Sequence, residues 1–146
     1  MLAATAFLLA APVGCERVQT ALSGKSDQGP ALQALRQRIG EFRERFATAT
    51  RQPDSADFGG IYQDAASLLD AIEKQAGTLS FMDGQSVKIQ VASARNLLRD
   101  ARPFVDSGDI DGIRSAQVKL DAVLFDVDNT LDRAAMMTDN PQKTGS

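Results

Sequence analysis

The stretch Leu124 to Leu131, LFDVDNTL, places two carboxylates and a hydroxyl at every second position, Asp126, Asp128 and Thr130, at the end of an apolar run. Side chains of these types can attack an electrophile, move a proton or help to hold a hard cation. Elsewhere the chain is poor in chemistry. It has no His, the commonest general base and metal ligand. It has one Cys, so an internal disulfide and a Cys-rich zinc site are excluded. Any reaction would have to be run by carboxylates, Lys, Ser/Thr or the single Tyr.

The run resembles the first motif of the haloacid dehalogenase superfamily, in which an apolar strand enters Asp-x-Asp-x-Thr. The resemblance implies a phosphatase, with Asp126 attacking phosphate and Asp128 handling protons. The surroundings argue against it. Lys119 to Phe125 would have to be a buried parallel strand of a Rossmann-like sheet, and the preceding chain offers no strands to build one. Only fifteen residues follow Leu131, too few for the downstream Lys and second acidic cluster of that superfamily. Two Asp alone do not make a magnesium site. Read as helix, Leu120, Leu124, Val127 and Leu131 share a face with Ile113, and Asp121, Asp128 and Asp132 flank it as an acidic stripe. Asp126 then points away, about 160° around the axis from Asp128, and the two cannot serve one phosphorus. The expectation is a protein that is not an enzyme and uses no cofactor or metal.

A second acidic stretch, Asp106 to Gly112 (DSGDIDG), has the look of a calcium loop. Aligned on Gly112, it puts Val118 where the bidentate Glu must stand. A Gly-containing turn followed by an Asp helix cap is the better reading.

These residues must be carried by helices. From Pro30 onward apolar residues recur in alternating steps of three and four. The first segment has Leu32, Leu35, Ile39, Phe42 and Phe46, and Pro53 closes it. The second has Phe58, Ile61, Ala65, Leu68, Ile72, Ala76 and Leu79, with Asp57 or Ser55 as cap. Tyr62, Gln63 and Asp64 read as its surface. The third begins after Asp83 and has Val87, Val91, Ala94, Leu98, Ala101 and Val105; Pro103 should kink or end it near Asp100. The fourth begins after Asp109 and has Ile113, Ala116, Leu120, Val123 or Leu124, Val127, Leu131 and Ala134. The breaks are short: Arg51 to Ala56, Ser80 to Met82 and Asp106 to Gly108. Short breaks make consecutive helices antiparallel neighbours, so the fold class is all-α, an up-down-up-down four-helix bundle over residues 30–135. The 43% hydrophobic and 24% charged composition, with 5% aromatics and no Trp, suits such a core. A net charge of −3 and a pI near 4.9 argue against a nucleic-acid partner.

The start of the chain, MLAATAFLLAAPVGC, is not fold material. Leu2 to Ala11 is apolar but too short for a membrane-spanning helix, and small residues and Cys15 follow. Val13-Gly14-Cys15 resembles a bacterial lipoprotein signal, although Pro12 stands where Leu is usual and a positive n-region is missing. The resemblance implies a signal peptide over 1–14 and a mature chain acylated at Cys15. That chain would be tethered through the polar residues 15–29 on the lumenal or periplasmic side of a membrane. Residues 136–146 read as a disordered tail.

The arginines are the candidate docking groups. Arg95, Arg99 and Arg102 share a face of the third helix, and Arg36 and Arg43 lie on the first with Arg38 and Arg45. The alternative is a solvated face with local pairs such as Glu41 with Arg45.

Leader, tether, length and helix spacing together resemble cyanobacterial PsbQ, the lipid-anchored extrinsic subunit on the lumenal side of photosystem II. The local matches are Asp83-Gly84-Gln85, Ala92, Leu97-Leu98, the turn at Asp106 to Asp109, and the pair Phe125-Asp126 in the last helix. The resemblance implies a four-helix bundle in the thylakoid lumen that docks on photosystem II, with Phe125 and Asp126 as part of its contact surface. Phe58 replaces the family's Trp, the Gly-Pro-Leu and Leu-Leu-Pro elements are missing, and the family's His residues are absent, so no metal site formed by them carries over.

Overall fold

The computed structural model describes residues 28–139. Among these the chain is all-α: helix α1 (Gln28–Arg51), a single 3-10 turn (Pro53–Ser55), α2 (Phe58–Ala76), α3 (Phe81–Ser107) and α4 (Ile110–Asp139). The helices form an antiparallel four-helix bundle in which α1 packs on α2 and α4, and α3 on α2 and α4. Cross-helix pairs show the alternation. Arg45 meets Asp64, Arg95 meets Asp70 and Glu73, Arg133 meets Asp83, and Arg36 meets Asp128, so partners run in opposite directions along each pair. The expected signal peptide (1–14), the rest of the expected tether (Cys15 and residues 16–27) and residues 140–146 lie outside the described residues.

The core follows the three-four spacing. Leu32, Leu35, Ile39, Phe42, Phe46 and Ala49 are buried on α1, and Ile113, Leu120, Leu124, Val127, Leu131 and Ala134 on α4. Steps of three and four average to seven over two turns, which keeps one seam facing the neighbour, as in left-handed bundles. Phe46 anchors the centre. Its ring meets Phe42 edge-on at 5.9 Å and Tyr62 at 5.7 Å, the geometry that aligns ring edges with ring faces. Tyr62, expected at the surface, is therefore a core residue, because α2 packs two adjacent positions, Ile61 and Tyr62, inward.

The helix ends have local causes. Pro53 biases Gln52 away from helical backbone and α1 stops. The Asp57 carboxylate accepts from the Gly60 N–H at 3.0 Å and caps α2. Ser80 accepts from the Asp83 N–H at 3.3 Å and caps α3, so this helix starts at Phe81 rather than after Asp83, and the break is Gly77 to Ser80. Gly108 ends α3 at φ 74°, where its N–H reaches the Val105 carbonyl and the Asp109 N–H reaches that of Phe104. Asp109 then accepts from Gly112 N–H at 3.2 Å to cap α4, as read from the sequence.

Three further expectations are corrected. α3 does not end near Asp100 but continues through Pro103 to Ser107. The proline lies in the penultimate turn on the exposed face, where water can take the carbonyl it strands. α4 runs to Asp139, past the expected start of the tail at 136, and α1 begins at Gln28, inside the expected tether. None of the described helices is long and apolar enough to cross a membrane.

The crossing of α2 and α3 depends on Gly84. A Cβ there would lie 2.7 Å from the Ala76 carbonyl oxygen, which is backbone and cannot turn aside. Gly84→Ala should therefore push the helices apart and cost about 1–3 kcal/mol. Gly40→Ala, with nothing within 4 Å of the new carbon, should stabilise by about 0.5–1 kcal/mol. Urea unfolding of the two variants should give opposite signs.

The Tyr62 hydroxyl is buried without a hydrogen-bond partner among the described residues, and burial pushes its pKa above the ordinary 10.0. The fold thus holds this proton more tightly than the unfolded chain does. Stability from this source is full below pH 10.0 and falls as pH rises from there through the raised folded value. Tyr62→Phe should add about 1 kcal/mol at neutral pH, by removing an unpaired hydroxyl, and should flatten the alkaline decline in a pH series of unfolding curves.

Candidate functional site

The three members of the Asp-x-Asp-x-Thr run are dispersed by the helix that carries them. Asp126 is exposed on α4. Asp128 is half-buried against α1, where Arg36 Nε donates to Oδ1 at 2.9 Å and Nη2 to Oδ2 at 3.3 Å. Thr130 is buried, and its hydroxyl donates back to the Asp126 carbonyl at 3.1 Å, a bond within the helix. Residues two apart on a helix stand about 160° apart around its axis, so the two carboxylates address different surroundings.

The acidic stripe on α4 has a structural partner. Arg36 Nη1 also donates to Asp132 at 2.7 Å, so one guanidinium bridges two carboxylates a helical turn apart. Seven residues along α1, Arg43 grips Asp121 through Nε at 2.7 Å and Nη2 at 3.1 Å. Seven residues further, the Thr50 carbonyl accepts from Arg114 Nε at 3.2 Å. The rungs are 36, 43 and 50 on α1 against 128, 121 and 114 on α4, each one residue past a buried apolar position. Hydrogen bonds to Asp128 and Asp121 raise the pKa of Arg36 and Arg43, outweighing the opposing effect of burial. Arg43 also lies over the Phe125 ring at 5.4 Å, a cation–π contact that leaves half of Phe125 exposed.

The candidate docking arginines fall into two groups. Arg36, Arg43 and Arg95 hold the bundle together. Arg95 Nη2 donates to Asp70 at 2.7 Å and Glu73 at 2.9 Å, which raises its own pKa and lowers that of Glu73. Arg99 and Arg102 stay on the surface of α3, beside Asp100 and Asp106 of the same helix, at 3.4 Å and 3.8 Å. The proposed Glu41–Arg45 pair gives way to Arg45 with Asp64 across to α2, and Glu41 accepts from Gln37. The exposed remainder of the candidates is thus Arg99, Arg102, Phe125 and Asp126.

Sequence reasoning placed these arginines on helices but missed their partners. The signal was there. Arg36 and Arg43 are seven apart, as are Asp121 and Asp128, and each follows a core position. Equal spacing on two helices of opposite direction lets both pairs form in one register.

Shallow grooves of about 230 Å³ and 210 Å³ flank Arg45, lined by helix-surface residues such as Thr48 and Gln52 in one and Glu41 and Asp64 in the other. Among the described residues no three His, Cys, Asp or Glu are grouped so as to hold a metal ion. Compared with protein-family models, with characterised proteins and with solved structures, the chain finds no match.

If the ladder ties α1 to α4, its pairs must couple energetically. A double-mutant cycle of Arg43→Met and Asp121→Asn should return about 0.5–1 kcal/mol of coupling, falling as salt is raised. Arg36→Met should cost more than Arg43→Met, because it leaves Asp128 and Asp132 to repel each other across one turn. Additive losses for Arg43 and Asp121 would show that the contact contributes nothing.

Proposed function

We propose that the chain is a lipid-anchored, non-catalytic extrinsic subunit that docks on a membrane complex and stabilises it. The observation that carries this reading is the use to which the carboxylates are put. Asp128, the second acid of the phosphatase-like run, is held by Arg36, and Asp121 by Arg43, so these groups serve helix packing. A bundle of this kind offers a partner its surface rather than a cleft. The candidate features exposed for contact are Arg99 and Arg102 on α3 and Phe125 with Asp126 on α4.

Anchoring rests on Val13-Gly14-Cys15 after the apolar run Leu2 to Ala11. Several acyl chains, each contributing about 0.8 kcal/mol per buried CH₂, would hold the protein firmly and raise its concentration beside any partner in that membrane. The resemblance to cyanobacterial PsbQ suggests photosystem II as that partner and the thylakoid lumen as the compartment. Without that resemblance the reading becomes a cell-envelope lipoprotein serving another complex.

Growth with a radioactive fatty acid should label the wild-type protein and leave Cys15→Ser unlabelled. Label retained by Cys15→Ser rejects the anchor. The docking half predicts recovery with a membrane complex in low salt, weakened by Arg99→Ala with Arg102→Ala and by added salt. Recovery indifferent to both would assign docking to another surface.

A further inference from the structure

The two ends of the bundle differ in chemistry. One end is formed by the start of α1, the Gly77 to Ser80 turn and the end of α4. There Phe81 and Met82 are each 77% exposed, and Met136 and Met137 are 60% and 49% exposed. Gly77 to Met82 carries no charged residue. The nearest carboxylate on α3, Asp83, is buried and accepts from Arg133 at 2.8 Å.

That pair also places the methionines. Met137 lies one turn beyond Arg133, on the side of α4 that faces α3 and Phe81-Met82. Met136 lies one turn beyond Asp132, on the side that faces α1. The opposite end carries Asp54, Asp57, Asp106, Asp109 and Asp111. Arg51, Arg102 and Arg114 offset them only in part. Phe104, 38% exposed, lies near the opposite end against Gly112, and others such as Ile89 and Val118 sit along the flanks, as on most protein surfaces.

Lys74 in the last turn of α2 and Asp139 at the end of α4 bring some charge near the end that carries Phe81 and Met82. We propose that this end, with its four exposed apolar side chains, is a bilayer-contacting tip. Phe81, Met82, Met136 and Met137 enter the interfacial region of a lipid bilayer beside the acyl chains on Cys15, and the bundle stands with its acidic end toward water. This inference rests on the reading of Cys15 as the lipid anchor.

Three observations select a bilayer over other occupants. First, α1 begins at this end, so the thirteen residues from Cys15 to Asp27 deliver the lipid here. Extended, they reach about 45 Å, as long as α4 at 1.5 Å per residue, so the tether alone would let the bundle lie flat or stand. The tip selects one orientation. Second, on the reading of Cys15 as the anchor, the apolar stretch Leu2 to Ala11 is removed with the signal peptide and is not the occupant. Third, four side chains present only a few hundred Å², against about 800 Å² per partner in a stable dimer. Acidic groups at the far end are repelled by anionic headgroups, which favours the same orientation.

The chain has no Trp, so Phe81→Trp and Ser55→Trp each introduce a single reporter, one at each end. The acylated full chain is bound to phosphatidylcholine–phosphatidylglycerol vesicles with brominated acyl chains. The Phe81→Trp emission should shift to shorter wavelength and be quenched, and the Ser55→Trp emission should do neither. An unquenched Phe81→Trp reporter on vesicle-bound, acylated protein overturns the tip and leaves the anchor standing. Equal quenching of both reporters describes a bundle lying flat and also overturns it. A Phe81→Trp shift that grows with protein concentration in the absence of vesicles assigns this end to a second copy. Mass spectrometry that finds no acyl group on Cys15 removes anchor and tip together, which separates that failure from the others.

Discussion

Closure of α1 against α4 is the constraint on which the bundle depends. These are the first and last helices, and their contacts span the longest stretches of chain, 96 residues for Arg36 to Asp132. Loop-closure entropy grows only slowly with length, but it must still be met by what the seam supplies. The seam supplies an apolar stripe on each helix and a polar ladder beside it. The apolar stripe is non-directional and tolerates sliding. The ladder adds a register signal to that of side-chain packing.

Its charges do more than attract. Slide α4 by one heptad in one direction and Arg36 meets Asp121, but Arg43 meets Arg114. Slide it in the other direction and Arg36 faces Ala135 in place of Asp128, which leaves it one acid, Asp139, where it now bridges two. The observed register gives Arg36 two carboxylates, gives Arg43 one, and lets Arg114 reach the Thr50 carbonyl. Partly exposed ion pairs add little net stability, because desolvation and side-chain entropy offset their attraction. Selecting one arrangement among several of similar apolar burial is the task they suit better. The same logic applies at the tip, where Arg133 with buried Asp83 fixes α4 against the start of α3.

What the sequence made legible follows from period. Four stripes in steps of three and four fixed the number of helices, their neighbours and nearly all of the core. Caps at Asp57 and Asp109 were readable because a short acidic side chain before an apolar series has one economical use. The misses came from effects that cross between helices. Tyr62 looked like surface because its polar tip hid a ring that Phe46 buries. Arg36 and Arg43 looked like docking groups because their acids lie 78 residues or more away in the chain. The start of α3 shifted by a turn's fraction because Ser80, rather than Asp83, takes the cap, and Asp83 is drawn inward by Arg133.

The same period decides how the Asp-x-Asp-x-Thr run behaves. On a strand, residues two apart share a side, and Asp126, Asp128 and Thr130 would converge on one small volume. On a helix the same spacing sends neighbours in the run to nearly opposite sides. Packing then accounts for the positions one by one. Leu124, Val127 and Leu131 are buried because they continue the α4 stripe. Asp128 lies seven after Asp121 because Arg36 and Arg43 lie seven apart. Thr130 is accepted in the interior because its hydroxyl returns to a carbonyl four residues back. Phe125, Asp126 and Asn129 lack a demand from the core, and these three are exposed, with Arg43 stacked on the Phe125 ring. Packing requirements alone are enough to produce most of the spelling of a nucleophile loop on a helix. The residues that packing does not explain are the ones whose identity a partner could set.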